Sequence, residues 1–179
     1  KTKCGKILVR GTNATLFGNG FELLNEIIGK FDHASPTSLI KVGEVSSKFF
    51  DEEEILGARN PHITMGNLLV AKNKHYKEID KYFNLTKEII CVNAIDENIQ
   101  QRLNGCDYDS DTMLITNDSI LLESAKKNYH MFKVPFCNAS PIQNDEDEKL
   151  YMIDHLIANN FVGQIVNLSQ YLNSILWDG

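Results

Sequence analysis

The stretch Asn104-Gly105-Cys106-Asp107-Tyr108-Asp109-Ser110-Asp111-Thr112-Met113-Leu114-Ile115-Thr116 sets three carboxylates at alternate positions directly ahead of an apolar run. In an extended segment alternate side chains share one face, and a tight loop converges them further. Three such groups repel one another unless a cation lies among them. Hard divalent ions with oxygen ligands are the natural occupants, and magnesium is the usual one where phosphates complete the shell. A magnesium held this way binds a hydroxyl and a nucleoside triphosphate together, lowering the hydroxyl's pKa and stabilising charge on the phosphate. A solvated acidic turn is the plainer reading. Against it, Cys106 and Tyr108 interleave the aspartates and Met113-Leu114-Ile115 follows at once, so the loop is tethered to a core. A calcium loop is a further alternative. Asp107, Asp109 and Asp111 fit the first, third and fifth positions of an EF-hand and Asp118 the twelfth, but Thr112 stands where the turn needs glycine.

Outward from this loop, short apolar runs alternate with turns. The pattern predicts strands over 5–10, 39–45, 66–71, 88–93, 112–116 and 130–137. Helices are expected over 21–29, with Phe21, Leu24 and Ile28 on one face and Gly29 as a stop, and over 119–127 after a capping turn. One or two helical turns fit 95–103, and 74–84 reads as a short helix or loop. Asp51 to Glu54 reads as an acidic turn or a first helical turn. Pro61 forces Asn60 into extended geometry, so Arg59-Asn60-Pro61-His62 is a loop or strand entry. Many short strands with irregular connections point to a barrel rather than an open parallel sheet. Beyond residue 140 the period changes. Leu150, Ile153 and Ile157, then Phe161, Ile165, Leu168, Leu172 and Leu176, recur at helical spacing. The expected class is therefore α+β, mainly β: a barrel over 1–140 and a two-helix extension over 141–179.

The chain has 179 residues, 42% of them hydrophobic and 23% charged, which suits a packed core. Its net charge of −6 speaks against binding nucleic acid by bulk electrostatics, though not against meeting a nucleic-acid end through metal ions. The cysteines Cys4, Cys91, Cys106 and Cys137 form no Cys-x-x-Cys pair, so buried reduced thiols are expected rather than a zinc site. No apolar run is long enough for a membrane helix and no signal peptide is visible, so a cytoplasmic protein without a membrane partner is expected. The chain starts Lys-Thr-Lys-Cys, which suggests a piece of a longer protein. Gly18-Asn19-Gly20 lacks the strand and Gly-Lys-Ser/Thr context of a phosphate loop.

The aspartate loop resembles the catalytic loop of the two-barrel RNA polymerases. That family includes the β′-type large subunits and the cellular RNA-dependent RNA polymerases, and its pattern is Asp-Xaa-Asp-Gly-Asp with an aromatic or aliphatic residue at the second position, where this chain has Tyr108. Arg59-Asn60-Pro61 is similar to the family's upstream Arg-x-Pro segment, and Gly163-Gln164-Ile165-Val166-Asn167 to the Gly-x-Ile-x-Asn helix start beyond the barrel. The three stretches run in the family's order and span residues 59–167. Two positions depart. Ser110 stands where the family usually has glycine, and serine holds a strongly positive φ only at a cost. Asn104 lies three residues before the first aspartate, where the β′-type enzymes place their asparagine two before, at this chain's Gly105. The departures incline the likeness to the RNA-dependent or a divergent bacterial or phage-like branch.

The resemblance implies a double-psi β-barrel with two C-terminal helices. Asp107, Asp109 and Asp111 would hold the catalytic Mg2+, with Arg59 and Asn104 near the substrate's sugar. It implies template-directed RNA synthesis with nucleoside triphosphates and a nucleic-acid template as partners. A second barrel with basic residues, from elsewhere in the chain or another subunit, would complete the site, so this piece alone would be inactive. The alternative is a non-catalytic binding module, either a calcium-loop domain or a degenerate polymerase barrel.

Overall fold

A computed structural model describes residues 8–134, 149–152, 155 and 161–177. In chain order the elements are β1 (Gly11–Phe17), α1 (Gly20–Ile27), β2 (Glu44–Ser47), β3 (Glu54–Ala58), β4 (Leu68–Asn73), α2 (Lys77–Tyr82), β5 (Ile89–Val92), α3 (Ile99–Arg102), β6 (Thr112–Thr116), α4 (Ser119–Asn128) and α5 (Val162–Trp177). The six strands close a mixed barrel in the order β1-β5-β2-β4-β3-β6. The class is α+β, and the closed barrel is consistent with the double-psi architecture expected. The chain forms two compact units, residues 1–134 and 135–179. In the second, α5 and residues 150–152 and 155 are helical. Among the described residues no helix is long and apolar enough to cross a membrane.

The period-two pattern explains the barrel interior. Met113 and Ile115 of β6 are buried while Leu114 between them is 39% exposed, and Ala14 and Leu16 of β1 are buried beside them. Burying a side chain the size of Ile115 contributes about 2 kcal/mol. A second apolar cluster, around Ile40, Ile79 and Cys91, lies outside the barrel with Phe17 and Phe83 against it. Gly11 is required where β1 meets β6, because a Cβ there would stand 2.4 Å from the Ile115 carbonyl oxygen.

The barrel repeats itself internally. Exchanging β1 with β4, β2 with β5 and β3 with β6 leaves the strand cycle unchanged. Directions agree: β1–β5 and β2–β4 are both parallel, and the other pairs are antiparallel. So does register, since Gly11↔Thr116 through Thr15↔Thr112 in β1–β6 matches Leu68↔Ala58 through Lys72↔Glu54 in β4–β3. Every pairing joins a strand of the first half to a strand of the second.

Several expected elements shift. The first strand is not 5–10 but 11–17. Leu8 is 95% exposed, and closure by β5 and β6 recruits Gly11 and Asn13 despite their poor strand propensity. Residues 5–7 lie outside the described residues. The strand expected over 39–45 starts only at Glu44, because Gly43 turns the chain at φ +76°. Asp51 to Glu54 leads into β3, a strand that its Glu-Ile-Leu-Gly-Ala composition disguised. Helix α1 ends at Ile27; Ile28 just beyond it is 60% exposed, and Glu22 within the helix is buried instead, accepting a hydrogen bond from the Leu39 amide. The strand expected over 130–137 is absent from residues 130–134. A closed barrel has no free edge to take a seventh strand. Residues 135–137 and much of the helix expected over 146–158 lie outside the described residues. The strands over 66–71, 88–93 and 112–116 and the helix over 119–127 form within one or two residues of expectation.

Candidate metal centre

Helix α3 launches the aspartate loop. The Asn98 side chain caps it by accepting from the Gln101 amide, and fully buried Leu103 anchors its far end. Two left-handed residues then reverse the chain, Asn104 at φ +56° and Gly105 at φ +67°. The amides of Gly105 and Cys106 both donate to the Gln100 carbonyl, at 2.7 and 3.2 Å. Cys106 is buried, which pushes its thiol up to about 11 and keeps it a packing group. Cys91 is buried likewise, its thiol raised by burial to about 12, and Cys4 and Cys137 lie outside the described residues.

The three aspartates converge. Asp107, Asp109 and Asp111 each offer a carboxylate oxygen within 4.8 Å of the other two. Asp107 and Asp109 are exposed and Asp111 is partly buried. The Asp109 amide donates to Asp107 Oδ1 at 3.3 Å, and the Asp107 amide donates to Asp111 Oδ2 at 2.9 Å. Asp107, by a side-chain hydrogen bond and by its charge, raises the Asp109 pKa above the ordinary carboxylate value, as crowded like charges require. Burial pushes Asp111 upward too. The Arg59 hydrogen bond, the Asp107 amide and the guanidinium charge outweigh that and leave Asp111 below the ordinary value.

These donors fit magnesium. They are hard oxygen ligands on one short loop, the kind of donor set that magnesium takes. Asp111 Oδ2 is taken by protein donors, which leaves Oδ1 for an ion. The calcium alternative loses its twelfth ligand. Asp118 lies beyond β6 and caps α4, accepting from the amides of Ile120 and Leu121 at 3.1 Å.

Arg59 and Asn104 flank the loop and both are engaged with protein. Arg59 Nη2 stands 2.7 Å from Asp111 Oδ2, and Nη1 donates to the carbonyls of Leu103 and Asn104 at 3.4 and 3.0 Å. Its Nε is buried, the one such side-chain nitrogen or oxygen without a hydrogen bond among the described residues. Asn104 Nδ2 donates to the Pro61 carbonyl at 3.2 Å. The Arg59-Asn60-Pro61 segment, with a cis peptide before Pro61, is thus stitched to the chain entering the loop. Burial pushes the neighbouring His62 below the ordinary histidine value, which favours its neutral form.

Sequence reasoning missed other supports. The Tyr108 ring lies against Gly18, where a Cβ would meet it at 3.3 Å, and burial raises the phenol to about 12. The Leu16 amide donates to the Asp111 carbonyl at 2.9 Å and ties the loop to β1. Asn67 donates to the Arg102 carbonyl at 3.1 Å and accepts from Thr64, which fixes the β3–β4 connection against α3. Apart from Thr64 and Asn67, these partners are remote from one another in sequence, so no local signal marks them.

No known protein-family pattern matches the chain, and no curated protein matches it. Among solved structures the chain is similar to the RNA-dependent RNA polymerase QDE-1 from Thielavia terrestris, with a TM-score of 0.47 and 16% sequence identity. The match covers 79% of this chain and 13% of that one, so the chain spans only a small part of that polymerase's length.

Proposed function

We propose that this chain is the metal-binding barrel of a magnesium-dependent nucleotidyltransferase that performs template-directed RNA synthesis in the cytoplasm. The observation that carries the reading is the convergence of Asp107, Asp109 and Asp111 within 4.8 Å on a loop tied into a closed barrel. The ordered likeness of Arg59-Asn60-Pro61, the aspartate loop and Gly163–Asn167 to the two-barrel polymerases gives it direction. The three aspartates hold the ion, and Tyr108 seats the loop on β1's turn. Magnesium, when bound, lowers the pKa of an attacking hydroxyl and neutralises charge on the phosphate. The nucleic-acid template and nucleoside triphosphates are partners of the assembled enzyme. A second barrel with basic residues, from another part of the chain or another subunit, supplies the triphosphate contacts. In the assembled enzyme Arg59 and Asn104 border the substrate's sugar.

Replacing any one of the three aspartates by alanine in the complete enzyme abolishes RNA synthesis and removes magnesium binding measured by calorimetry. Retained synthesis in all three variants overturns the reading. A barrel that has lost catalysis is the second reading, favoured by the strained Ser110 inside the motif. It predicts no synthesis by the wild type and no partner barrel carrying basic residues.

A further inference from the structure

The internal repeat supplies a control for the metal loop within the same molecule. Asp111 immediately precedes β6 and Arg59 immediately follows β3. Under the exchange of halves, their counterparts are Glu53, immediately before β3, and Asn117, immediately after β6. The same two bonds occur at both places. The Leu16 amide donates to the Asp111 carbonyl at 2.9 Å, and its counterpart, the Asn73 amide, donates to the Glu53 carbonyl at 2.7 Å. Arg59 meets the Asp111 carboxylate at 2.7 Å, and Asn117 Nδ2 donates to Glu53 Oε2 at 3.0 Å. The side chains trade length, a long donor with a short acid in one half and the reverse in the other.

The two turns differ in how their remaining carboxylates are answered. Beside Glu53, Glu52 pairs with Lys74 at 3.5 Å and Glu54 pairs with Lys126. Asp107 and Asp109 have no lysine or arginine partner among the described residues. The clasp is therefore a property of the barrel, present where no metal cluster exists, and the metal loop is built on one copy of it.

We infer that Arg59 is a positioning residue of the metal loop, holding Asp111 Oδ2 and the turn at Leu103 and Asn104 so that Asp111 Oδ1 faces the ion. This rests on the metal reading above and assigns Arg59 a role before any substrate arrives. Both of its terminal nitrogens are already engaged with the loop, and its side chain is 15% exposed.

Two effects oppose each other in an Arg59→Ala variant of the full chain. Losing a positive charge beside the site favours cation binding, whereas losing the group that orients a ligand costs about 10- to 100-fold in metal affinity. Titration with Mn2+, followed by electron paramagnetic resonance, reads the sign. The expected result is at least about 10-fold weaker binding in Arg59→Ala, partial recovery in Arg59→Lys, and unchanged binding in Asn117→Ala. In metal-free protein, amide exchange at Asp107 and Leu16 accelerates in Arg59→Ala. Equal or tighter Mn2+ binding by folded Arg59→Ala, with unchanged exchange at Asp107, overturns the inference. If Arg59→Ala does not fold, unchanged affinity in Arg59→Lys does the same. Should wild type and Asp109→Ala bind Mn2+ equally, the metal reading fails, and the amide exchange alone decides whether Arg59 holds the loop.

Discussion

Ser110 sits at φ +116°, a backbone region that favours glycine, and it does so between two aspartates whose carboxylates converge. Holding a non-glycine residue there costs on the order of 1–3 kcal/mol, which the surrounding bonds at Asp107, Asp109 and Leu16 must supply. Ser110→Gly removes that strain and gives back roughly 0.7 kcal/mol through the freer unfolded chain. The net expectation is a gain of about 1 kcal/mol and a melting temperature about 3 °C higher, measured by thermal denaturation without metal. A lower melting temperature would show that the loop carries no strain at Ser110. The aspartates and the odd serine were legible in the sequence, because a ligand set and a missing glycine are local facts. The bond from Arg59 to Asp111 was not, since 52 positions separate them along the chain.

Elements announced by their own residues formed where the residues said. Strand β6 has a continuous apolar run, Met113-Leu114-Ile115, and α4 has Asp118 at its start with Lys126 and Lys127 in its last turn, favouring the helix dipole. Asp118 accepts from two amides that would otherwise be orphaned at the helix start. Asp118→Ala is expected to cost about 1 kcal/mol, read as a lower urea midpoint with an unchanged slope. Mn2+ affinity is expected to stay the same, which separates Asp118 from the calcium-loop role its spacing suggested. Elements that depend on neighbours were hidden. The composition of β1 and β3 is poor for strands, and only their partners in the barrel make them strands.

The whole barrel is an interlock. No strand of β1–β3 pairs with another of that set, and none of β4–β6 with another of its own. A fragment ending at residue 66 therefore has no ladder to close, and neither does one starting at residue 67. Each is expected to show no strand signal by circular dichroism as a monomer, while a mixture regains it. Strand signal in either monomeric fragment would contradict the interlocked pairing. The same non-local pairing places folding on the millisecond-to-second scale. At this scale the acidic turn at 51–54 acquires a meaning that composition did not suggest. It is the counterpart of the aspartate loop, with Glu52 and Glu54 paired with Lys74 and Lys126, whereas Asp107 and Asp109 have no lysine or arginine partner among the described residues.

Local chemistry was readable from residue order alone: three carboxylates at alternate positions that converge, an apolar strand behind them, and a capped helix after that strand. Those features depend on near neighbours, where side-chain periodicity and capping act. Which residues orient the carboxylates, and why one acidic turn is left open while its counterpart is neutralised, depended on closure of the barrel. Closure joins β3 to β6 and thereby sets Arg59 against Asp111 and Asn117 against Glu53. Pairings between distant segments follow from the register of the closed sheet, and no property of either segment encodes that register by itself.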